Sequence, residues 1–377
     1  MRIRDYLELD PEKEAELKTV AVFPRAEAVH APDPPGQLSP FDRAVIERWA
    51  AVKKRTPNED VYYPVSASVC ISYTCAHNCS GCPYVNDRKS ENMFLDTGSF
   101  GRLLSRLHSL KVKFIDLRGG GEPTTHPEFH RFAQMCMRED FELSLLTNGT
   151  SLDSTTARLL VEGFSFLTIN LDANNDEVCD RIHNPSSPRE FQKVLANIER
   201  VVSERERRES KLMMGTQVRL CQANMNFMEQ MTRLAKDMGI DYIQFRISQW
   251  ACDRLLPDQI ERVSQFISEL KASFDPFPIY GEINSRKLSG GYPASLAHMI
   301  IDTVGDVYPC AHFARLPQVT SFGNIFTLPP DELWFGVQRK RAVQRLREYD
   351  CPIECCRWGV HSEFLLNSGT ESGPMPT

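Results

Sequence analysis

Three thiols fall in one short stretch, Cys75-Ala76-His77-Asn78-Cys79-Ser80-Gly81-Cys82, spaced C-x3-C-x2-C. Thiolates at that spacing can wrap one face of a [4Fe–4S] cube and leave one iron without a protein ligand. A cluster with four cysteine ligands mainly passes electrons, whereas one with three has a corner that can bind substrate atoms. Zinc is the rival reading. Structural zinc takes four ligands in paired C-x2–4-C form, and His77 or Cys70 could supply the fourth. A position at a strand mouth, facing a glycine-rich loop, argues against a purely structural zinc site. A second group, Cys310 with Cys351, Cys355 and Cys356, lies toward the carboxyl end.

The rest of the composition bounds the setting of these thiols. The chain has 377 residues with 44 Lys and Arg against 50 Asp and Glu, a net charge of −6 that argues against a nucleic-acid partner held by phosphate contacts. The run Arg205-Glu206-Arg207-Arg208, flanked by Glu204 and Glu209, reads as a solvated helix end. No apolar run approaches the roughly 18 residues of a membrane span, so no membrane partner is expected. The start, Met1 to Tyr6, lacks a basic segment followed by an apolar one, so a cytoplasmic location is expected. There, twelve cysteines point to metal ligation rather than to disulfides. Cys136, Cys179 and Cys221 read as buried apolar residues. Lone histidines such as His126, His130, His183, His312 and His361 read as core or surface residues, His312 being the best functional candidate among them because it follows Cys310.

The elements that must position the thiols follow from periodicity. Phe41 to Lys54 reads as an amphipathic helix. From residue 61 strands and helices alternate: strands over Val65–Tyr73, Lys113–Arg118, Phe141–Thr147, Phe164–Leu171, Met214–Cys221 and Asp241–Ile247, with helices over Gly98–Lys111, Pro127–Arg138, Ser154–Glu162, Ser187–Glu204 and Asn226–Met238. The strands read as mostly apolar. That predicts burial on both faces and a parallel sheet covered by helices, either an open doubly wound sheet or a (β/α) barrel. In both, chemistry gathers at the carboxyl ends of the strands. Those ends carry Cys75 onward, Gly119-Gly120-Gly121-Glu122, Thr147-Asn148-Gly149, Asn170 with Asp172, and Arg246. Beyond residue 250 the alternation is expected to stop. Pro257–Phe274 contains a helix, His298–Ile301 and Val307–Cys310 read as a hairpin turning at Gly305, and Val337–Tyr349 reads as a basic helix.

On these residues the chain resembles the radical SAM superfamily, enzymes that cleave S-adenosylmethionine (SAM) reductively. The cysteine spacing matches, as does Gly120-Gly121-Glu122-Pro123 after the second strand. The stretches Leu146-Thr147-Asn148-Gly149-Thr150 and Leu167-Thr168-Ile169-Asn170-Leu171-Asp172 resemble the family's next two strand ends. The resemblance covers roughly residues 65–250. It implies an α/β fold, a partial (β/α)6 barrel with a small α+β C-terminal auxiliary domain. The implied division is an N-terminal cap segment (1–60), a core (61–250), a C-terminal domain (251–366) and a disordered tail (367–377). It also implies that Cys75, Cys79 and Cys82 bind three irons while SAM chelates the fourth. Gly120 and Gly121 would let the backbone approach the methionyl amine, with Glu122 beside them. Asn148, Asn170 and Asp172 would contact ribose or methionine, and Gln217, Arg219 and Arg246 are weaker candidates. Taken alone, the glycines and Asn148-Gly149 could be turns, Asn170 and Asp172 helix caps, and Arg219 a paired surface residue. Gly81 stands where the family commonly has an aromatic residue, and Tyr84 is expected to pack near cluster or adenine instead. The implied chemistry is transfer of one electron to SAM, release of a 5′-deoxyadenosyl radical and removal of a substrate hydrogen.

Tyr308-Pro309-Cys310, Phe322-Gly323-Asn324-Ile325 and Cys351-Pro352-Ile353-Glu354-Cys355-Cys356 resemble the SPASM or twitch auxiliary-cluster domain of some of these enzymes. Cys310, Cys351 and Cys355 would be ligands, with Cys252, His298 or an exogenous atom as the fourth. A second [4Fe–4S] cluster, a domain without metal, and zinc all stay open. The implied partners are an electron donor, a reductase or a flavodoxin or ferredoxin, and a small oxygenated substrate such as a sugar, aminocyclitol or nucleoside. A peptide-modifying enzyme of the same superfamily and a non-enzymatic iron–sulfur or zinc protein are the alternatives.

Overall fold

The computed structural model describes residues 39–55, 63–84, 94–247, 254–281, 297–309 and 321–348. The expectations for Cys252, Cys310, His312, Cys351, Cys355, Cys356, His361 and the 367–377 tail lie outside the described residues.

Helix α1 (Pro40–Arg55) comes first, with proline at its start and Asp42 in its first turn. Six strands follow in chain order: β1 (Ser66–Cys70), β2 (Phe114–Arg118), β3 (Glu142–Thr147), β4 (Phe166–Asn170), β5 (Met213–Leu220) and β6 (Tyr242–Ile247). They lie side by side in that order, each parallel to the next. The connecting helices are α2 (Thr97–Ser109), α3 (Phe129–Arg138), α4 (Ser154–Gly163), α5 (Asp176–His183), α6 (Glu190–Arg207) and α7 (Met228–Asp237). Three of them start at a side-chain cap. Asp96 accepts from the Ser99 N–H, Asp153 from Thr156 and Asn175 from Val178, so neither Asn170 nor Asp172 caps a helix. This is the parallel α/β sheet of a partial barrel.

Two expectations are corrected. The strands are not apolar on both faces; they alternate. Ala67, Val69, Ile115, Leu117, Leu143, Leu145, Leu167, Ile169, Val218 and Phe245 join the core under the helices. The residues between them, among them Ser66, Ser68, Asp116, Ser144 and Gln244, are buried on the opposite, concave face. Alternation of this kind marks a sheet with a polar interior rather than a packed one. The βα alternation also runs past residue 250. Helix α8 (Pro257–Ser273) leads to β7 (Ile279–Gly281), which adds parallel to β6. A three-residue strand is too short to show a period, which is why it escapes a reading by pattern.

The hairpin forms as expected. Strands β8 (His298–Ile301) and β9 (Asp306–Tyr308) pair antiparallel, and β10 (Gly323–Asn324) pairs with β9. The same sheet contains it: β8 lies parallel to β1, with Ser66 opposite His298 and Val69 opposite Ile301. Helices α9 (Pro330–Phe335) and α10 (Val337–Glu348) follow.

Helix α1 closes the amino-terminal end of the strands. Its Phe41 and Val45 pack on Phe114 and Phe166, the first residues of β2 and β4. Arg48 pairs with Glu142 at the start of β3. Asp42, fully buried, takes hydrogen bonds from Gln244 Nε2 (3.1 Å) and Arg246 Nη2 (3.3 Å) on β6. With this end plugged, the interior opens toward the carboxyl ends, where the cysteines are.

Candidate functional site

The cysteine loop leaves β1 and is held by backbone bonds to a distant helix. The Asn78 N–H donates to the His183 carbonyl (2.9 Å) and the Ser80 N–H to Ile182 (3.2 Å), both at the end of α5. Cys75, Cys79 and Cys82 are half-buried. The Cys75 sulfur accepts from the His77 N–H (3.4 Å) and lies 3.7 Å from Asn148 Nδ2. Cys79 Sγ lies 3.3 Å from His183 Nδ1, and the Arg219 guanidinium also reaches it. Burial pushes the Cys79 thiol up, Arg219 pulls it down, and Asp172 and Cys82 push it up again. Cys79 and Cys82 lie close enough to repel as thiolates, and Cys75 and Cys79 are each met by nitrogen groups that can donate to sulfur, as a shared iron cluster needs. The donor set therefore fits a [4Fe–4S] cluster.

The glycine loop packs under the cysteine loop. The Gly121 N–H donates to the Ser72 carbonyl (2.9 Å) and the Glu122 N–H to Thr74 (2.7 Å). A Cβ on Gly120 would lie 2.1 Å from the Tyr73 ring and 2.9 Å from Tyr84, and one on Gly121 would lie 2.2 Å from the Thr74 carbonyl oxygen. Close approach of two chain segments is thus enough to demand both glycines. Tyr84 does pack here, tilted against Tyr73 over Gly120 with ring centroids 6.2 Å apart.

Glu122 is buried and ties this loop to the end of β3. Its carboxylate accepts from Thr147 Oγ1 (2.6 Å), the Asn148 N–H (2.7 Å), Thr124 Oγ1 (2.7 Å) and the Thr124 N–H (3.1 Å). Burial pushes its carboxyl up while these bonds pull it down. Asn148 Oδ1 accepts from Thr150, which leaves Nδ2 turned toward Cys75. Asn170 accepts from Gln217 on the inner face (3.2 Å). Asp172, fully buried, accepts from the Arg219 N–H (2.6 Å), Nε (3.1 Å) and Nη2 (2.7 Å). Arg219 is therefore a paired residue that also faces the cysteine loop. Arg246 sits lower, on Asp42.

One residue at this site escapes the sequence reading. His183 stands 104 positions from Cys79 and ends a helix of only eight residues. The described residues bring His77, Cys79 and His183 within 4.8 Å of one another through their ligand atoms. His77 was open as a zinc ligand, whereas no spacing signal marks His183. Burial pushes its imidazole down to about 4. Cys70, in contrast, is buried at the end of β1, where the Gly120 N–H donates to it (2.9 Å) and burial pushes its thiol up to about 12. It serves the strand end. Cys136, Cys179 and Cys221 are buried, as expected.

Comparison with known proteins agrees with this geometry. Residues 69–216 match the model of the radical SAM superfamily, and residues 294–357 that of an iron–sulfur cluster-binding domain, SPASM. An AdoMet-dependent heme synthase of Methanosarcina barkeri (strain Fusaro / DSM 804) is 24% identical over 313 residues, covering 75% of this chain and 86% of the synthase. Among solved structures, Streptococcus suis SuiB bound to the precursor peptide SuiA aligns with a TM-score of 0.63 at 12% identity, over 93% of this chain and 82% of SuiB. The structure of anSMEcpe with AdoMet and the Kp18Cys peptide aligns with a TM-score of 0.57 at 17% identity, over 78% of this chain and 88% of the other. These likenesses extend the fold beyond the two matched segments. No helix among the described residues is long and apolar enough to cross a membrane. The matched family implies [4Fe–4S] and SAM as cofactors, and the order of the strand ends agrees: the chain carries a radical SAM domain over residues 69–216 and a SPASM-type domain at its carboxyl side.

Proposed function

We propose that Cys75, Cys79 and Cys82 hold the [4Fe–4S] cluster, that Gly120, Gly121, Asn148, Asn170 and Asp172 border the SAM site, and that the enzyme takes a hydrogen atom from a small oxygenated substrate. When bound, the cluster and SAM supply a one-electron cleavage that yields a carbon-centred radical. The chain's part is positional. Glu122 holds the glycine loop against β3, and Asp172 holds Arg219 beside the thiols. Helix α1 shuts the far end against water.

The observation that carries the substrate class is the polar inner face. Ser68 Oγ donates to Asp116 (3.1 Å), and Arg118 Nε donates to the same carboxylate (2.7 Å). Asn170, Gln217, Gln244 and Arg246 continue the inner face across β4 to β6. Hydroxyl, amide and guanidinium groups on one face of the sheet favour a sugar, aminocyclitol or nucleoside over an apolar molecule. The net outcome would be oxidation, decarboxylation or epimerisation. A second reading, a peptide-modifying enzyme, draws support from the peptides bound in the SuiB and anSMEcpe structures. Cys310, Cys351 and Cys355 would hold the auxiliary cluster within the SPASM-matched segment. A cytoplasmic reductase, flavodoxin or ferredoxin would supply the electron. The division at residues 60, 250 and 366 belongs to this proposal as a division of chemistry, since the sheet itself runs across it at β7 and β8.

The test is anaerobic reconstitution with iron, sulfide and 5′-deoxyadenosine assays. Product formation requiring both dithionite and SAM supports the reading; iron without SAM cleavage would refute it. Candidate sugars and a precursor peptide, compared by mass change, separate the two substrate classes.

A further inference from the structure

A polar chain meets one side of the cysteine loop. His183 Nδ1 lies 3.3 Å from Cys79 Sγ. On the opposite edge of the ring, Nε2 faces Asp172 Oδ2 at 3.6 Å. Asp172 is itself fixed by Arg219, and the Asn224 Nδ2 holds its carbonyl at 2.8 Å. The ring also lies against His77, with centroids 4.9 Å apart, and His77 Nε2 faces the buried Glu190 at 3.6 Å.

The backbone fixes the same approach. Asn78 and Ser80, the neighbours of Cys79 on either side, donate their N–H groups to the carbonyls of His183 and Ile182. Helix α5 stops there because Asn184 turns left-handed at φ +40°. The imidazole is therefore delivered to one sulfur, not merely near the loop.

We propose that His183 is a positioning residue of the reducing centre: its Nδ1–H donates to the Cys79 thiolate and raises the reduction potential of the cluster which that thiolate holds. This rests on the reading of Cys79 as an iron ligand. A thiolate has no proton to give, so a neutral imidazole bonded to it must carry its own on Nδ1. At 3.3 Å Nδ1 is within reach of sulfur, while Nε2 at 3.6 Å is beyond a hydrogen bond to Asp172. A donor to a thiolate ligand draws charge away from iron. It stabilises the reduced cluster, which carries one more electron, over the oxidised one. The consequence is a trade: easier reduction by the electron donor against a weaker push on the sulfonium.

The test compares wild type, His183→Phe and His183→Gln, each reconstituted anaerobically. Iron is counted, and the cluster whose electron paramagnetic resonance signal changes on adding SAM is titrated against dithionite. The expected result is full iron loading in all three. His183→Phe should show a tenfold lower ratio of reduced to oxidised cluster at a fixed solution potential, about 59 mV for a one-electron couple. His183→Gln, which keeps an N–H donor, should stay close to wild type. An unchanged potential in His183→Phe overturns the proposal. So does loss of iron in both variants, which would make His183 a prop for the loop. A wild-type protein with no SAM-responsive cluster would instead overturn the reading of the cysteine loop, and this proposal with it.

Discussion

The mouth of the parallel strands and the β8–β9 hairpin each organise backbone around a carboxylate, buried at the mouth and half-buried in the hairpin, and they do so over different distances. At the mouth, Glu122 joins the end of β2 to the end of β3, and Asp172 joins β4 to β5. His183 returns from α5 to the loop after β1. Every one of these contacts crosses between segments that follow different strands. In the hairpin, Asp302 accepts from the N–H groups of Val304 (3.0 Å) and Asp306 (2.8 Å), inside its own turn. The reach of each network matches its task. A site for a bound cofactor is assembled from several strand ends and needs cross-links between them. A hairpin only has to turn the chain, and local bonds suffice.

Removing one thiol from each region separates them most sharply. Cys79→Ala should abolish both the SAM-responsive cluster and 5′-deoxyadenosine formation. Cys310→Ala should remove the second cluster alone, leaving about four irons per chain where the parent has about eight. Iron analysis on both variants checks this. A parent holding only about four irons would show that the SPASM-type segment carries no cluster of its own.

Cross-links at the mouth should also cost more to break than those in the hairpin. Glu122→Ala strips the acceptor from the Thr147 hydroxyl and from the backbone N–H groups of Thr124 and Asn148. Leaving such buried donors unmet should destabilise the chain by about 3 kcal/mol or more in denaturant unfolding, with SAM binding lost in parallel. The glycines beside it give a finer measure. Gly120→Ala meets the Tyr73 and Tyr84 rings, which can shift, so about 2 kcal/mol is expected, with relief when Tyr73→Ala is added. Gly121→Ala meets the Thr74 and Tyr73 backbone, so the same second substitution should not rescue it.

The two regions also differ in how far the sequence announces them. The three thiols, the glycine loop and Asn148 are each read from a few adjacent residues, and the structure gathers them because each follows a strand of one parallel sheet. Helix α1 and the hairpin were legible for the same reason. What stays hidden depends on register. That β8 lies against β1 joins residues 230 apart, Ser68 and His298, whose side chains are 3.0 Å apart. Nothing in either segment specifies that pairing. His183 is hidden likewise, since a lone histidine near the end of a short helix looks the same whether it meets sulfur or solvent. The polar inner face was obscured because residues such as Ser66, Ser68, Thr168 and Gln217 sit between strong apolar neighbours, which dominate a reading by composition.

The smallest effect should come from the hairpin, and it tests whether its carboxylate is a local feature. Burial pushes Asp302 up to about 6 from an ordinary 3.8, despite the N–H groups that it accepts, and Asp306 adds to the rise. A raised carboxyl binds its proton more tightly folded than unfolded. The stability this gives is complete below pH 3.8 and is lost as pH climbs through about 6. Asp302→Asn stays neutral throughout and keeps an oxygen to accept the Val304 and Asp306 N–H groups. Relative to wild type it should gain on the order of 1 kcal/mol between about pH 5 and pH 7.5, since solvent screens part of the cost. Thermal unfolding of both proteins across that range reads the difference. Because the hydrogen bonds of Asp302 among the described residues stay within its turn, SAM affinity at the mouth should not change with it. A variant that lost SAM binding would show that the hairpin and the cysteine loop, lying on adjacent strands, are coupled after all.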